Sequence, residues 1–424
     1  MTGERQPGRL DLRHFLSAAE NTAPLDAIDV VAADLRHRVD GRRVSLLITN
    51  FSGTALVRLS HSSASHEAED GHNERGESIT LPGSVYETTM FEQTTAIFRR
   101  DDEWVVLAPV TERGDAIGLL EVSLDLEPDS TVVEHVSAAA HALAYVLIAS
   151  RRHTDLFEWA QRDVAFSLAA EIQRRLLPSA YTLEAGAFTL AGWLEPANDV
   201  GGDTFDYSLD REFLYLSMTD AMGHGVEAAL LATLVVGSLR NTRRGLATPS
   251  EQADAANAAM LESSRAEQFV TGQLLRIRLA DGSVEFVNAG HPSPYLLRDG
   301  RASEVDIAHP QPPFGIGEGA YETQTAKLRP GDRLVLVTDG YLERNAVRLD
   351  LSELLDTSAE RHPRQVVREL ADKVLAATEG QLLDDATILC LDWYGPDHQR
   401  TSTNGADADR ATAGDTTGEM APDG

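Results

Sequence analysis

The chain has 424 residues, 42% hydrophobic and 25% charged, which is enough apolar material for two or three folded domains. Its 67 acidic residues outnumber the 37 basic ones, and the formal net charge of −30 argues against a nucleic-acid partner. The single cysteine, Cys390, excludes an internal disulfide, a Cys-rich zinc site and a thioredoxin-type motif. The opening residues hold no apolar run of signal-peptide length. The longest apolar stretch, Ala138 to Ala149, is about 12 residues where a membrane span needs about 20. The expectation is a cytoplasmic protein that does not enter a membrane.

Residues 12–128 read as one unit. A helical pattern (Leu12, Phe15, Leu16, then Ile28, Val31, Leu35) leads into short alternating segments at 44–49, 55–59 and 104–110. A turn at Gly114-Asp115 then starts a hairpin strand over 117–123. The segment TERGDAIGLLEV and this order of helix, antiparallel sheet and helix resemble a GAF-type sensor domain. That resemblance implies a small-molecule or protein ligand. His61, His66 and His72, interleaved with Glu67, Glu69, Asp70 and Glu74, show no ligand spacing and read as a solvated loop.

From Asp129 to Leu177 the chain runs 49 residues without Pro or Gly. Asp129 or Ser130 caps its start and Pro178 follows its end. Apolar residues at 136, 140, 143, 147, 157, 164, 168, 172 and 176 mark one helical face. Unbroken, such a helix would reach about 74 Å. Two readings stand: amphipathic helices separated near Arg151–Asp155, or a continuous signalling helix that pairs with its twin in a homodimer. Either makes 129–178 a helical linker between the first unit and a second, 179–394. Beyond it, residues 395–424 are acidic, contain one large apolar residue (Met420), and read as a disordered tail.

Aspartates stand at the ends of apolar strands in the second unit. Residues 213–219 run into Asp220, 334–338 into Asp339, Asp384 and Asp385 precede 386–391, and Asp203 follows Gly201-Gly202. One aspartate at a strand end is ordinarily a turn or cap residue. Four such sites, if their strands are neighbours, bring like charges to one spot that needs cations. Oxygen-only ligation points to hard ions, Mg²⁺ or Mn²⁺, over Zn²⁺.

In order along the chain stand QRRLLP (173–178), DVGGDTFD (199–206), TDAMGHG (219–225), FVTGQL (269–274), NAGHPSPYLL (288–297), LRPGDRLVLVTDGYLE (328–343) and DDATILCL (384–391). Together they resemble the PPM-type serine/threonine phosphatases of the stage II sporulation protein E and stress-response branch. The resemblance implies a mixed α+β chain whose second unit is an α-β-β-α sandwich of two antiparallel sheets, hydrolysing phosphoserine or phosphothreonine with two Mn²⁺ or Mg²⁺ ions. Carried over by residue, Asp203 and Asp220 would be the acids shared by the metal pair, and the carbonyl of Ala221 would complete one sphere. Asp339 and Asp384 would hold the other ion. Asp385 is a further candidate ligand that aligns less well than Asp384 and suits a place behind it. The implied substrate is a phosphorylated anti-anti-sigma factor in a partner-switching pathway.

Two positions depart from the family pattern: Thr204 where Phe is usual, expected to change packing beneath the site, and Asp199 where Glu is usual. His224 falls four residues after Asp220 and reads as a loop hydrogen-bonding residue, His291 as a turn former, and Cys390 as core. Gly315–Gly319 lacks the strand and helix of a dinucleotide fingerprint, and no Walker-type lysine motif occurs. Movement of Arg174, Leu176 and Leu177 is expected to shift the helix after Gly225 and so the loop carrying Asp220. The competing class, a phosphoprotein-binding adaptor without catalysis, would show as lost metal acids; all are present.

Overall fold

The computed structural model describes residues 12–24, 26–63, 77–162, 167–197, 201–263, 267–342, 349–379 and 382–400. The acidic histidine segment at 64–76, Asp199 and the tail beyond Arg400 lie outside them. The chain forms two compact units that divide between residues 165 and 166.

The first unit runs α1 (Leu12–Glu20), α2 (Ala27–Arg38), β1 (Arg43–Thr49), β2 (Ala55–Ser63), β3 (Ser78–Thr80), α3 (Val85–Glu92), β4 (Ala96–Arg100), β5 (Glu103–Glu112), β6 (Asp115–Leu124), α4 (Ser130–Ser150) and α5 (Leu156–Ala160). Its strands form one antiparallel sheet in the order β3-β2-β1-β6-β5-β4. Side chains alternate along each strand, so one face carries Val44, Leu46, Val106, Leu120 and Val122 to a core roofed by Phe15, Val31, Leu35, Val136, Leu143 and Leu147 from α1, α2 and α4. The β5–β6 turn is Arg113-Gly114, one residue earlier than its sequence suggests. Both residues have positive φ, 46° and 82°, as the tightest right-twisted hairpin requires.

The helical pattern from Asp129 to Leu177 is divided. Asp129 caps α4 as expected, its carboxylate accepting from the Val132 amide, but α4 ends at Ser150. The chain then folds back: Phe157 enters the core of the first unit, and the Gln161 side chain donates to the Thr49 carbonyl at 2.8 Å. The α4 face that would pair with a twin (Val136, Ala140, Leu143, Leu147) is spent on the unit's own sheet. By length and composition α4 could cross a membrane, yet nine of its residues are buried in this way.

The second unit runs α6 (Leu168–Leu176), β7 (Thr182–Glu184), β8 (Phe188–Glu195), β9 (Thr204–Leu209), β10 (Phe213–Ala221), α7 (Gly225–Arg243), α8 (Pro249–Ser263), β11 (Val270–Arg278), β12 (Ser283–Ala289), β13 (Tyr295–Arg298), β14 (Arg301–Glu304), β15 (Gln324–Lys327), β16 (Asp332–Val337), α9 (Leu351–Asp356), α10 (Pro363–Ala377) and β17 (Ala386–Trp393). Two antiparallel sheets result, β15-β12-β11-β10-β9 and β14-β13-β16-β17-β8-β7. Phe188, Phe205, Met218, Leu275, Leu336, Leu391 and Trp393 fill the space between them. Helices α7 and α8 cover the outer face of the first sheet, and α9 and α10 that of the second. The expected α-β-β-α sandwich is therefore present. Residues 395–400, read as the start of a disordered tail, are held: Gly395 donates to the Ala187 carbonyl, and Arg400 pairs with Glu184 at 2.8 Å.

Candidate active site

Register decides where the aspartates meet. Antiparallel pairing sets the end of β10 beside the start of β9, with Thr219 opposite Thr204, and the end of β16 beside the start of β17, with Val337 opposite Ile388. Asp203 and Asp220 thus come from one sheet. Asp339, in a single 3-10 turn after β16, and the pair Asp384-Asp385 come from the other. All five acids stand at one rim of the sandwich.

Two hydroxyls tie the sheets there. Thr338 and Thr387 both donate to Asp203 Oδ2, at 2.7 and 2.6 Å, and the backbones of these threonines bond each other. Both oxygens of Asp385 are engaged: Oδ1 accepts from the Ala197 amide at 2.9 Å, and Oδ2 from the Gly201 amide at 3.1 Å and Gln173 Nε2 at 2.5 Å. Glycine is required where backbones crowd. A Cβ on Gly202 would lie 2.5 Å from the Ala221 carbonyl oxygen, and one on Gly340 would lie 2.2 Å from that of Asp385.

No Lys or Arg pairs with these acids among the described residues. Burial, then Asp220 and Asp385, pushes the Asp203 carboxyl well above its usual range. Burial, then Asp339, Asp384 and Asp385, raises Asp220 to about 7. Asp339 and Asp384 are raised too, mainly by burial. Uncompensated hard oxygen donors of this kind suit Mg²⁺ or Mn²⁺. As they stand, no three acidic, His or Cys side chains among the described residues are gathered tightly enough to hold an ion. The fit rests on the donor chemistry and on the mutual repulsion that a cation would relieve.

A pH effect follows. Folding raises the Asp220 pKa, so its contribution to stability is present below its unfolded value and is lost as pH rises through about 7. In EDTA the melting temperature should fall between pH 5 and pH 8, by about 2–4 °C per kcal/mol lost, and Mg²⁺ should reverse the fall. A melting temperature in EDTA that stays flat over that window would contradict the shift.

Around the acids, the expectations divide. Thr204 and Thr219 share a buried hydrogen bond of 2.6 Å beneath the site, which is the packing role expected of Thr204. His291 is buried in its turn, bonded to Thr271 Oγ1 at 2.8 Å and flanked by the Asn288 side chain. Cys390 is fully buried core, and burial pushes its thiol up to about 12. His224 differs from expectation. It is the N-cap residue of α7 but makes no capping hydrogen bond, its side chain is exposed, and its charge acts on Asp384.

Sequence reasoning missed Gln173. It lies on the buried side of α6 and reaches both Asp385 and the Asp203 carbonyl, at 2.9 Å. The signals available were its place at the head of the QRRLLP motif and a polar residue at a core-facing helical position. Leu176 does pack against α7, where Ala228, Leu231 and Val235 lie, and Arg240 joins Asp206 to the Leu176 carbonyl.

Comparison with known proteins adds a family match, two relatives and a solved structure. Residues 210–394 match the family model for Stage II sporulation protein E (SpoIIE). Phosphoserine phosphatase RsbU of Bacillus subtilis (strain 168) is 24% identical over 234 residues, 53% of this chain and 68% of that protein. Phosphoserine phosphatase RsbP of the same organism is 26% identical over 192 residues, 44% of this chain and 46% of that one. The chain therefore spans about two thirds of the first relative and just under half of the second. A solved structure, the RsbU and RsbW domains of Rv1364c from Mycobacterium tuberculosis, aligns at a TM-score of 0.44 and 25% identity, over 50% of this chain and 61% of that one.

Proposed function

We infer that this chain, whose residues 210–394 belong to the Stage II sporulation protein E family, is a metal-dependent protein serine/threonine phosphatase. The observation that supports this most is the meeting of five aspartates from four strand ends of two sheets, with no Lys or Arg paired to them among the described residues. Asp203 and Asp220 would be shared by two Mg²⁺ or Mn²⁺ ions, with the Ala221 carbonyl on one and Asp339 and Asp384 on the other. Ions so placed supply charge neutralisation at the phosphoryl oxygens and a water acidified to near neutrality. The chain's own part is to fix the acids. Thr338 and Thr387 hold one oxygen of Asp203. Asp385, with both oxygens taken, would position rather than ligate, and so would brace the segment between Ala197 and Gly201.

The substrate would be a phosphorylated anti-anti-sigma factor in a cytoplasmic partner-switching pathway. The first unit, read as a GAF-like sensor, would act through α6, because Gln173 connects that helix to the acids. Gln173→Leu keeps the volume and removes the donors. It should weaken activation by Mg²⁺ about 10- to 100-fold while the circular dichroism spectrum is unchanged. An unaltered Mg²⁺ titration would dismiss the route.

The direct test is hydrolysis of 4-nitrophenyl phosphate by the full chain with EDTA, Mg²⁺ or Mn²⁺. Turnover that needs metal supports the enzyme. A folded chain that binds Mn²⁺ and a phosphoprotein yet turns over neither substrate would instead be an adaptor.

A further inference from the structure

The sheet of the first unit has a second face that α1, α2 and α4 do not cover, and its middle is polar. Ser45 pairs with Glu121 and Arg43 with Ser123 across β1 and β6, so all four side chains share this face. Arg58 on β2 and Arg100 on β4 reach the same carboxylate. Arg58 Nη1 is 3.1 Å from Glu121 Oε1, and Arg100 Nη1 and Nη2 lie 3.0 and 3.3 Å from its two oxygens. Arg43 Nη2 is 3.6 Å away. Tyr86 donates to Glu121 at 2.6 Å, and Arg100 donates to the Tyr86 hydroxyl at 2.8 Å.

This is more positive charge than one carboxylate needs. Three guanidiniums face Glu121; among the described residues the other carboxylates acting on them are the exposed Glu77, 3.2 Å from Arg58, and Glu103, which acts on Arg100. The hydroxyls of Ser45 and Ser123, residues 0% and 1% exposed, have no hydrogen-bond partner among the described residues, nor does Arg43 Nε. Buried polar atoms are nearly always satisfied, and leaving one unmet is costly. Each guanidinium carries five donors in a fixed fork, of which Glu121 uses at most two. What is left on this face is a set of donors lacking an acceptor. Arg43 and Arg100 are about one-third exposed, so their guanidiniums are reachable from solvent, whereas Arg58 is 11% exposed and the two serines are closed over.

We propose that this face binds a small oxyanion, either free phosphate or sulfate or the phosphate or carboxylate group of a metabolite, through Arg43, Arg58, Arg100, Ser45 and Ser123. Glu121 aims the arginines and Tyr86 braces Glu121. Guanidinium and hydroxyl donors on one face match the acceptor oxygens of such an anion, and the three guanidiniums repel a cation.

The test is calorimetric titration of the full chain in EDTA with inorganic phosphate, sulfate, acetate and AMP in turn. Without metal, the acidic rim of the second unit repels anions, so binding there does not interfere. One saturable site per chain is expected. Preference among the four separates a free ion from a metabolite's group. Arg43→Gln, and separately Ser45→Ala with Ser123→Ala, should weaken binding at least about tenfold at unchanged melting temperature. Asp339→Asn should leave it intact. The proposal fails if none of the four binds saturably. It also fails if the serine variants melt higher than the parent and bind as well, since the hydroxyls would then be mere unsatisfied core. Because binding is read without turnover, its failure is independent of the phosphatase reading.

Discussion

Asp220→Asn should lower kcat/KM for 4-nitrophenyl phosphate by at least about three orders of magnitude at saturating Mn²⁺, equivalent to about 4 kcal/mol of transition-state stabilisation. The substitution keeps the shape of the side chain and deletes a charge from the centre of the acidic group, where Asp339, Asp384 and Asp385 all act on it. The same repulsion predicts an opposite effect on folding. In EDTA at pH 8 the variant should melt above the parent, because one of several crowded like charges has gone. Loss of activity with gain in metal-free stability marks a residue kept for chemistry. Activity within tenfold of the parent would remove Asp220 from the proposed site. A lower melting temperature would mean that its carboxylate serves the fold.

The second large effect is on stability. Arg333 is fully buried in β16, with Nε 2.7 Å and Nη2 2.9 Å from the two oxygens of the equally buried Asp392 in β17. Its remaining donors reach the Ser358 and Arg361 carbonyls. Arg333→Met takes the guanidinium away from the buried Asp392 carboxylate, at a cost of about 3–5 kcal/mol. For a unit of this size that is about 10 °C in melting temperature, readable by calorimetry. Arg333→Met with Asp392→Leu should recover most of the loss, since an apolar pair of similar volume commonly replaces a buried ion pair without penalty. Failure of the double variant to recover would show that the bonds to Ser358 and Arg361 carry the stabilisation.

Much of the second unit was legible because its signals are local. An aspartate beside an apolar strand marks the strand's end whatever the strand pairs with, so Asp220 and Asp339 after their strands and Asp384 before its own could be picked out one by one. What no single segment shows is register. Thr338 and Thr387 look like ordinary strand-end threonines until pairing sets both against Asp203, 135 and 184 residues away along the chain. Gln173 is 212 residues from Asp385, and a glutamine among arginines on a short helix resembles solvated surface. The break in the helical stretch was missed by the continuous reading for a related reason. Periodicity reports which residues face inward but not which neighbour they face, and Phe157 and Gln161 turn back to their own unit. In the first unit four strands were read from the sequence, while the short β3 and β4 were not. The Arg58–Glu121 contact joins residues 63 apart, and its register includes a bulge between Leu46 and Leu47.

The sealing of Cys390 inside β17 gives this chain a practical property. The only thiol is fully buried, and burial holds it protonated at neutral pH, so thiol-directed reagents have nothing to react with in the folded state. A cysteine introduced at the exposed Arg211, in the turn between β9 and β10, would be the sole reactive handle. It would sit about 25 Å from Asp220, the length of one strand away from the acids. A dye there could report rigidity or motion of the sandwich without touching the rim where metal and phosphate are expected to meet.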